Sequence, residues 1–312
     1  MKEKRSKILM LTLGLLVTTS LLMGCGGAPT TPPRLPQGFE QDQVPKANLE
    51  GYLYFNQGSP LALSGGPIAL PSGLSLDAFS LWFVPPDGKG GRLYASPDVI
   101  QGLGLLLSGR AWHQVSDGKV ELVLGSGSGA EELKSTITGK AFLPLKEAYP
   151  AVWDAMRRLP SQPPKKPVAV GFAKPTDALL GTLQSTVPGA DSMQSYASYL
   201  KYAALQHVVI GLYTDRPLGL PTGSMSSYFK DNNLEVLVIA KSSYPDFVLS
   251  VVLGRLAASQ GMKEVKVSSQ TFYVAEMQGL QVAFTVFNGY MYLAAADSQS
   301  ELEALLRSTL LR

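Results

Sequence analysis

Residues 282–311 read VAFTVFNGYMYLAAADSQSELEALLRSTLL. Val282–Ala295 is predicted to fold as a hairpin at Asn288-Gly289, the dipeptide that supplies the two positive φ angles of a type I′ turn. The period then changes. Over Ser300–Leu311, the side chains of Leu302, Leu305, Leu306 and Leu310 fall on one helical face, with Glu301 and Glu303 in the first turn and Arg307 and Arg312 near the end, as the helix dipole favours. A hairpin that runs into an amphipathic helix is the signature of a sheet packed by helices.

The same succession recurs upstream. Leu234, Val236 and Val238 alternate with Glu235, Leu237 and Ile239 in a predicted strand, which leads to a helix start at Tyr244-Pro245-Asp246-Phe247-Val248. Proline suits the first helical position and aspartate complements the positive end of the dipole. In the first half, Phe79, Leu81 and Phe83 alternate with Ser80, Trp82 and Val84 and lead to Ser96-Pro97-Asp98-Val99-Ile100. A second hairpin, Ala111–Leu124, folds at Asp117-Gly118 and precedes a helix over Ala130–Ile137. The second half is longer because it carries an additional hairpin-like stretch, Glu264–Gln278, with Val265, Val267, Phe272 and Val274.

The expected fold class is therefore α+β: two related strand-helix-hairpin-helix units with mixed, mainly antiparallel sheets. The first unit covers 47–160 and the second 161–312, with the boundary at the Pro-rich stretch Pro160–Pro167. A short third repeat is expected over 168–213, with strands at Val168–Phe172 and His207–Tyr213, a helix after Lys174-Pro175-Thr176-Asp177 and another around Ser192–Gln206. The unit, above all Asn288–Leu293 leading into Ser300–Leu306, resembles modules of uncharacterised bacterial surface proteins built from domains of unknown function. That resemblance implies an architecture and no activity.

Lys2, Lys4, Arg5 and Lys7 precede an uncharged apolar run, Ile8–Met23, which stops at Gly24 before Gly26, Gly27, Pro29, Pro32 and Pro33. This is the layout of an export signal, and the run falls short of the ~20 predominantly apolar residues of a membrane span. Leu22-Met23-Gly24-Cys25 resembles the lipobox of bacterial lipoproteins, although Met23 is an unusual residue there. The resemblance implies a signal peptide at 1–24 and a diacylglyceryl group on Cys25, with an acyl group on its amine. Two or three chains would make membrane attachment stable, where one holds only marginally. Residues 25–46, rich in Pro, Gly and Thr, are expected to form a mobile lipid-anchored spacer. The signal carries four of the 27 Lys and Arg and one of the 24 Asp and Glu. What remains is formally neutral and gives no indication of a nucleic-acid partner. Cys25 is the only cysteine, so neither a disulfide nor a thiolate metal site is expected in the body.

Several motifs suggest chemistry, each with a plainer reading beside it. Gly125-Ser126-Gly127-Ser128-Gly129-Ala130 has the G-x-G-x-x-A form of a dinucleotide loop. The corresponding stretch of the second unit, Ala296-Asp297-Ser298-Gln299-Ser300-Glu301, is ordinary helix-start chemistry, so a structural turn is expected in both. Ser116–Lys119 and Ser198–Lys201 match S-x-x-K, and Lys241-Ser242-Ser243 could end a strand as K-T-G does; the intervening serine-asparagine element of penicillin-recognising enzymes is missing. His113 and His207, the only histidines, lie in predicted strands with no ligand at metal spacing. Tyr196, Tyr199 and Tyr202 form a row on one predicted helix that could contact a ligand ring, with core packing as the plainer reading. Arg157, Arg158, Lys165 and Lys166 flank the Pro-rich boundary and are read as a solvated linker rather than a lipid-headgroup patch. Leu61, Leu63, Ile68 and Leu70, in a Gly/Pro-rich loop, are expected to pack on their own domain.

No catalytic residue, cofactor or metal site is thus assigned. The expectation is a lipid-anchored extracytoplasmic protein, attached to the cell membrane or outer membrane through Cys25, whose role is non-enzymatic binding or assembly with an envelope protein or polymer. The rivals are a solute-binding lipoprotein of a transporter, which would need long parallel strand-helix units, and a cell-envelope hydrolase using Ser198, Ser224 or Ser226.

Overall fold

Along β-strands successive side chains point to opposite faces, and in this chain both sets are apolar in the central strands. Val208, Ile210 and Leu212 are buried on one face of their strand, and Val209 and Tyr213 on the other. A strand of that kind must be covered on both sides. The computed structural model describes residues 43–55, 91–97, 112–116, 119–174, 205–216, 225–277 and 279–310. In chain order the first elements are β1 (Gln43–Pro45), β2 (Gly51–Phe55), β3 (Gly91–Ala95), β4 (Trp112–Ser116), β5 (Lys119–Leu124), α1 (Gly127–Thr138), β6 (Phe142–Pro144), α2 (Leu145–Ala148) and α3 (Pro150–Met156). Then follow β7 (Pro167–Ala173), β8 (Leu205–Tyr213), α4 (Met225–Asn232), β9 (Glu235–Ser242), α5 (Asp246–Gln260), β10 (Lys263–Val267), β11 (Gln270–Met277), β12 (Leu280–Phe287), β13 (Tyr290–Ala296) and α6 (Gln299–Leu310).

Eleven strands form one sheet in the order β10-β11-β12-β13-β9-β8-β7-β2-β3-β5-β4, and β1 and β6 form a second, two-stranded sheet. Every pairing in the large sheet is antiparallel except β3 with β5. The fold is α+β, as expected, with mixed and mainly antiparallel sheets. The hairpins β4–β5, β10–β11 and β12–β13 fall where the alternation placed them, and Asn288 and Gly289 have φ of 53° and 77°, as a type I′ turn requires. The hairpins of the two halves meet the sheet differently: β5 runs parallel to β3, whereas β13 runs antiparallel to β9. The strands β2 and β7, on either side of the expected boundary at 160, pair directly.

One face of the sheet carries a large core. Tyr52, Tyr94, Phe172, Tyr213, Tyr290 and Tyr292 pack there beneath Ala130, Leu133 and Ile137 of α1, Val152, Ala155 and Met156 of α3, and Leu302, Leu305 and Leu306 of α6. On the other face, Leu249 and Leu253 of α5 sit on Val286, Phe284 and Met291. Pro245 stands just before α5 rather than inside it. Asp246 does more than complement the dipole: its Oδ1 accepts a 2.8 Å hydrogen bond from the Gly289 N–H, tying the helix start to the β12–β13 turn.

The start of the body differs from expectation. Gln43–Pro45 pairs with Phe142–Pro144, and Val44 and Leu49 are fully buried. The Leu49 N–H donates to the Tyr149 hydroxyl, which in turn donates to the Ala47 carbonyl. Apolar Val44 thus ties the last residues assigned to a mobile spacer into the body. Residues 1–42, the predicted strand at 79–84, the helix predicted after Pro97, the apolar loop of Leu61–Leu70 and the two helices predicted after Lys174 lie outside the described residues, save that Leu205 and Gln206, the end of the helix expected around Ser192–Gln206, begin β8. Substituting Asp246→Ala removes the bond to Gly289 and a favourable charge at the α5 N-terminus, and is expected to cost about 1–2 kcal/mol in urea unfolding.

Candidate functional site

The densest polar cluster among the described residues lies at one end of the sheet, where the segment after α3 enters β7. α4 ends there with Asn233 in the left-handed region at φ 49°. The Leu234 N–H reaches back to the Phe229 carbonyl and the Asn233 N–H to that of Lys230, the double closure of a Schellman motif. The Thr214 hydroxyl donates to the Asn232 carbonyl and the Arg216 guanidinium to that of Asp231. The exposed carbonyls of the helix end are thus met by side chains from just beyond β8. At the start of α6, Ser298 Oγ accepts from the Glu301 N–H, as the serine of a capping box does, and its hydroxyl donates to Glu301 Oε2.

Lys165 joins these two helix ends. Its Nζ donates to the Asn233 carbonyl at 3.1 Å, to Asn233 Oδ1 at 2.8 Å and to Glu301 Oε1 at 2.8 Å. An ammonium has three protons, and these acceptors take them all. Glu235, at the first position of β9, lies 3.1 Å from the same Nζ, yet both its oxygens lack a hydrogen-bond partner among the described residues. Glu235 is 0% exposed and Lys165 7%. Burial consequently pushes the Glu235 carboxyl up to about 7 against the opposing pull of Lys165, with Glu301 and Asp215 adding to the rise. For Glu301 burial acts in the same sense, but the bonds from Lys165 and Ser298 outweigh it and hold its carboxyl below the usual range. Tyr213 is opposite Glu235 in the sheet register, and its buried hydroxyl also has no partner among the described residues. Its side chain folds over Gly211, where a Cβ would collide with the hydroxyl.

This arrangement corrects the reading of Arg158 and Lys165 as solvated. Lys165 is a buried hub, and the Arg158 guanidinium lies 3.8 Å from the centroid of the Tyr290 ring, a cation–π contact. Arg157 remains exposed, and the Lys166 N–H meets Asp215 Oδ1 at 3.4 Å. Gly125 and Ser126 link β5 to α1. Gly125 has φ 153°, and a Cβ there would strike the buried Ser96 side chain, so close packing of the β5–α1 link accounts for the glycine. His207 lies in β8, half-buried edge-to-face against Phe172; burial, then the nearby Lys174 and Lys241, lowers its pKa. Among the described residues no three His, Cys, Asp or Glu side chains gather as metal ligands would. Cys25, Tyr196, Tyr199, Tyr202, Ser198 and Ser224 lie outside the described residues. His113 and Ser226 fall on β4 and α4, and Lys241 on β9.

A second feature was not anticipated. Tyr244, Phe247, Val251 and Val252 are the large apolar side chains left exposed among the described residues, and Phe247 is 71% exposed. All four belong to α5 or the turn before it. Leu249, Leu253 and Ala257 face the sheet while Phe247 and Val251 point away from it, so the helix is apolar on both sides. A helix of that composition is usually enclosed.

In comparisons with known proteins the chain matches no family model, no curated protein and no solved structure.

The titration of the cluster has a definite sign. A carboxyl whose pKa is raised on folding stabilises the fold below its unfolded pKa, and that contribution is lost as the pH rises through the folded value. Glu235 therefore weakens the protein between about pH 5 and pH 8. Glu301 acts oppositely, losing its contribution only as the pH falls below the ordinary carboxylate range. Glu235→Gln is expected to raise the melting temperature near pH 8 and to leave it almost unchanged near pH 5; an unaltered pH slope would show that Glu235 is not the titrating group. Lys165→Met removes the cation shared by Glu235 and Glu301 together with the bonds to Asn233, and should cost about 3–5 kcal/mol in denaturant unfolding near neutral pH.

Proposed function

We propose that this protein is a lipid-anchored extracytoplasmic protein that works by binding or assembly at the cell envelope rather than by catalysis. The observation that carries the reading is the succession of Lys2–Lys7, the uncharged run Ile8–Met23 and Leu22-Met23-Gly24-Cys25, with the only cysteine of the chain at the position where the lipid would be attached. Its membrane partner is then the bilayer, reached through lipid on Cys25.

The exposed face of α5 supports the binding part. Phe247, Val251 and Val252 offer apolar surface and no hydrogen bond, which fits an apolar patch on an envelope protein better than a hydroxyl-rich polymer. The buried Lys165 cluster, closed over by two helix ends and the sheet, fits a structural role. The recurrence of strand, helix start, hairpin and helix supports two related units joined in one sheet.

In cells supplied with labelled palmitate, the wild-type chain is expected to carry label and to sediment with membranes. The Cys25→Ser chain should remain unprocessed and unlabelled. Processing and labelling that persist in the variant overturn the anchor. Substrate turnover by the purified protein that depends on a few serines or carboxylates overturns the non-enzymatic role.

A further inference from the structure

β10 ends the large sheet. It pairs only with β11, so along its five residues, Lys-Glu-Val-Lys-Val, the outward N–H and C=O groups meet no strand among the described residues. An open edge of this kind is a template for another strand. Lys263, Glu264 and Lys266 are exposed, whereas Val267 is buried and Val265 packs against the core beside Phe272. Glu264 and Lys266 therefore share the opposite face, and no ion pair engages either of them among the described residues.

We propose that β10 is a self-recognition edge, through which two copies of this chain pair antiparallel about a two-fold axis at Val265. The partner is identified by charge. When two identical antiparallel strands extend a sheet, the two-fold is perpendicular to it and sets one residue opposite its own copy. Centring on Glu264 opposes two carboxylates, and centring on Lys263 or Lys266 opposes two ammonium groups. Like charges directly opposite one another destabilise a pair of strands. Centring on Val265 sets valine against valine and places Glu264 across from Lys266 of the second copy, twice. Charges on an edge strand ordinarily keep it from pairing; here they select one register and one partner. The same axis leaves both copies of α5 on one face of the joined sheet. The pairing does not depend on the lipid anchor.

Sedimentation equilibrium of the full chain in a density-matched, non-denaturing detergent, at tens of micromolar, is expected to give a dimer. Glu264→Lys and Lys266→Glu each oppose like charges and should weaken it by at least about tenfold, while the combined exchange should restore it. Circular dichroism melting confirms that each variant is folded. Directly opposite Cα atoms in antiparallel strands are about 4.5–5.5 Å apart, within disulfide reach. Val265→Cys should consequently form a disulfide-linked dimer on mild oxidation, with the wild-type chain and its single Cys25 as the control that does not. A monomeric wild type overturns the proposal, as does a dimer indifferent to the single charge reversals, a folded double exchange that stays monomeric, or Val265→Cys that fails to cross-link.

Discussion

A single ammonium group organises one end of this molecule. Lys165 Nζ spends its three protons on the α4 terminus and on Glu301 at the α6 start, while standing beside Glu235 at the start of β9. A buried charge is tolerated only when it is paired and hydrogen-bonded, so the position of each of these elements is conditional on the others. The shortage of donors is as informative as the bonds. With three protons and four oxygens within reach, Glu235 is left with an ion pair at 3.1 Å rather than a well-aligned hydrogen bond, and it is the carboxylate sealed most deeply.

Around that end the architecture is governed by two-sided burial. Two tyrosines give way to two alanines along the core face of β13, where Tyr290, Tyr292, Ala294 and Ala296 line the core, and Met291 faces α5. The opposite layer is thinner among the described residues: α5 rests on β12 through Leu249 and Leu253, and its outer side is as apolar as its inner one. The exposed apolar side of α5 and the buried Lys165 cluster thus lie on different parts of the fold.

Local chemistry made much of this legible. Asn288-Gly289 specified a type I′ hairpin, and the spacing of Leu302, Leu305 and Leu306 identified the buried face of α6, because turn geometry and helical period are decided within a few residues. Ser298-x-x-Glu301 was readable as a helix start, but its connection to Lys165 was not, since those residues are 136 positions apart. Composition actively misled at Pro160–Pro167, where proline and basic residues suggested a solvated linker; β7 begins at Pro167, and Lys165 finds carboxylates that only the fold brings to it. The parallel pairing of β3 with β5 was equally invisible, because strand alternation carries no information about the direction of a neighbour. The exposed side of α5 escaped notice for another reason: an apolar run reads as core unless the covering layer is known.

The hub also constrains the order in which the protein can be completed. Asn233, Glu235 and Glu301 all follow Lys165 in the chain, so during synthesis the lysine lacks its full set of acceptors until residue 301 has been delivered. Contacts of such long sequence separation form late and slowly. Until then burying the ammonium would be unfavourable, and this end of the sheet has to stay hydrated and open. A chain arranged in this way postpones the closure of this end of the sheet until its last helix is in place.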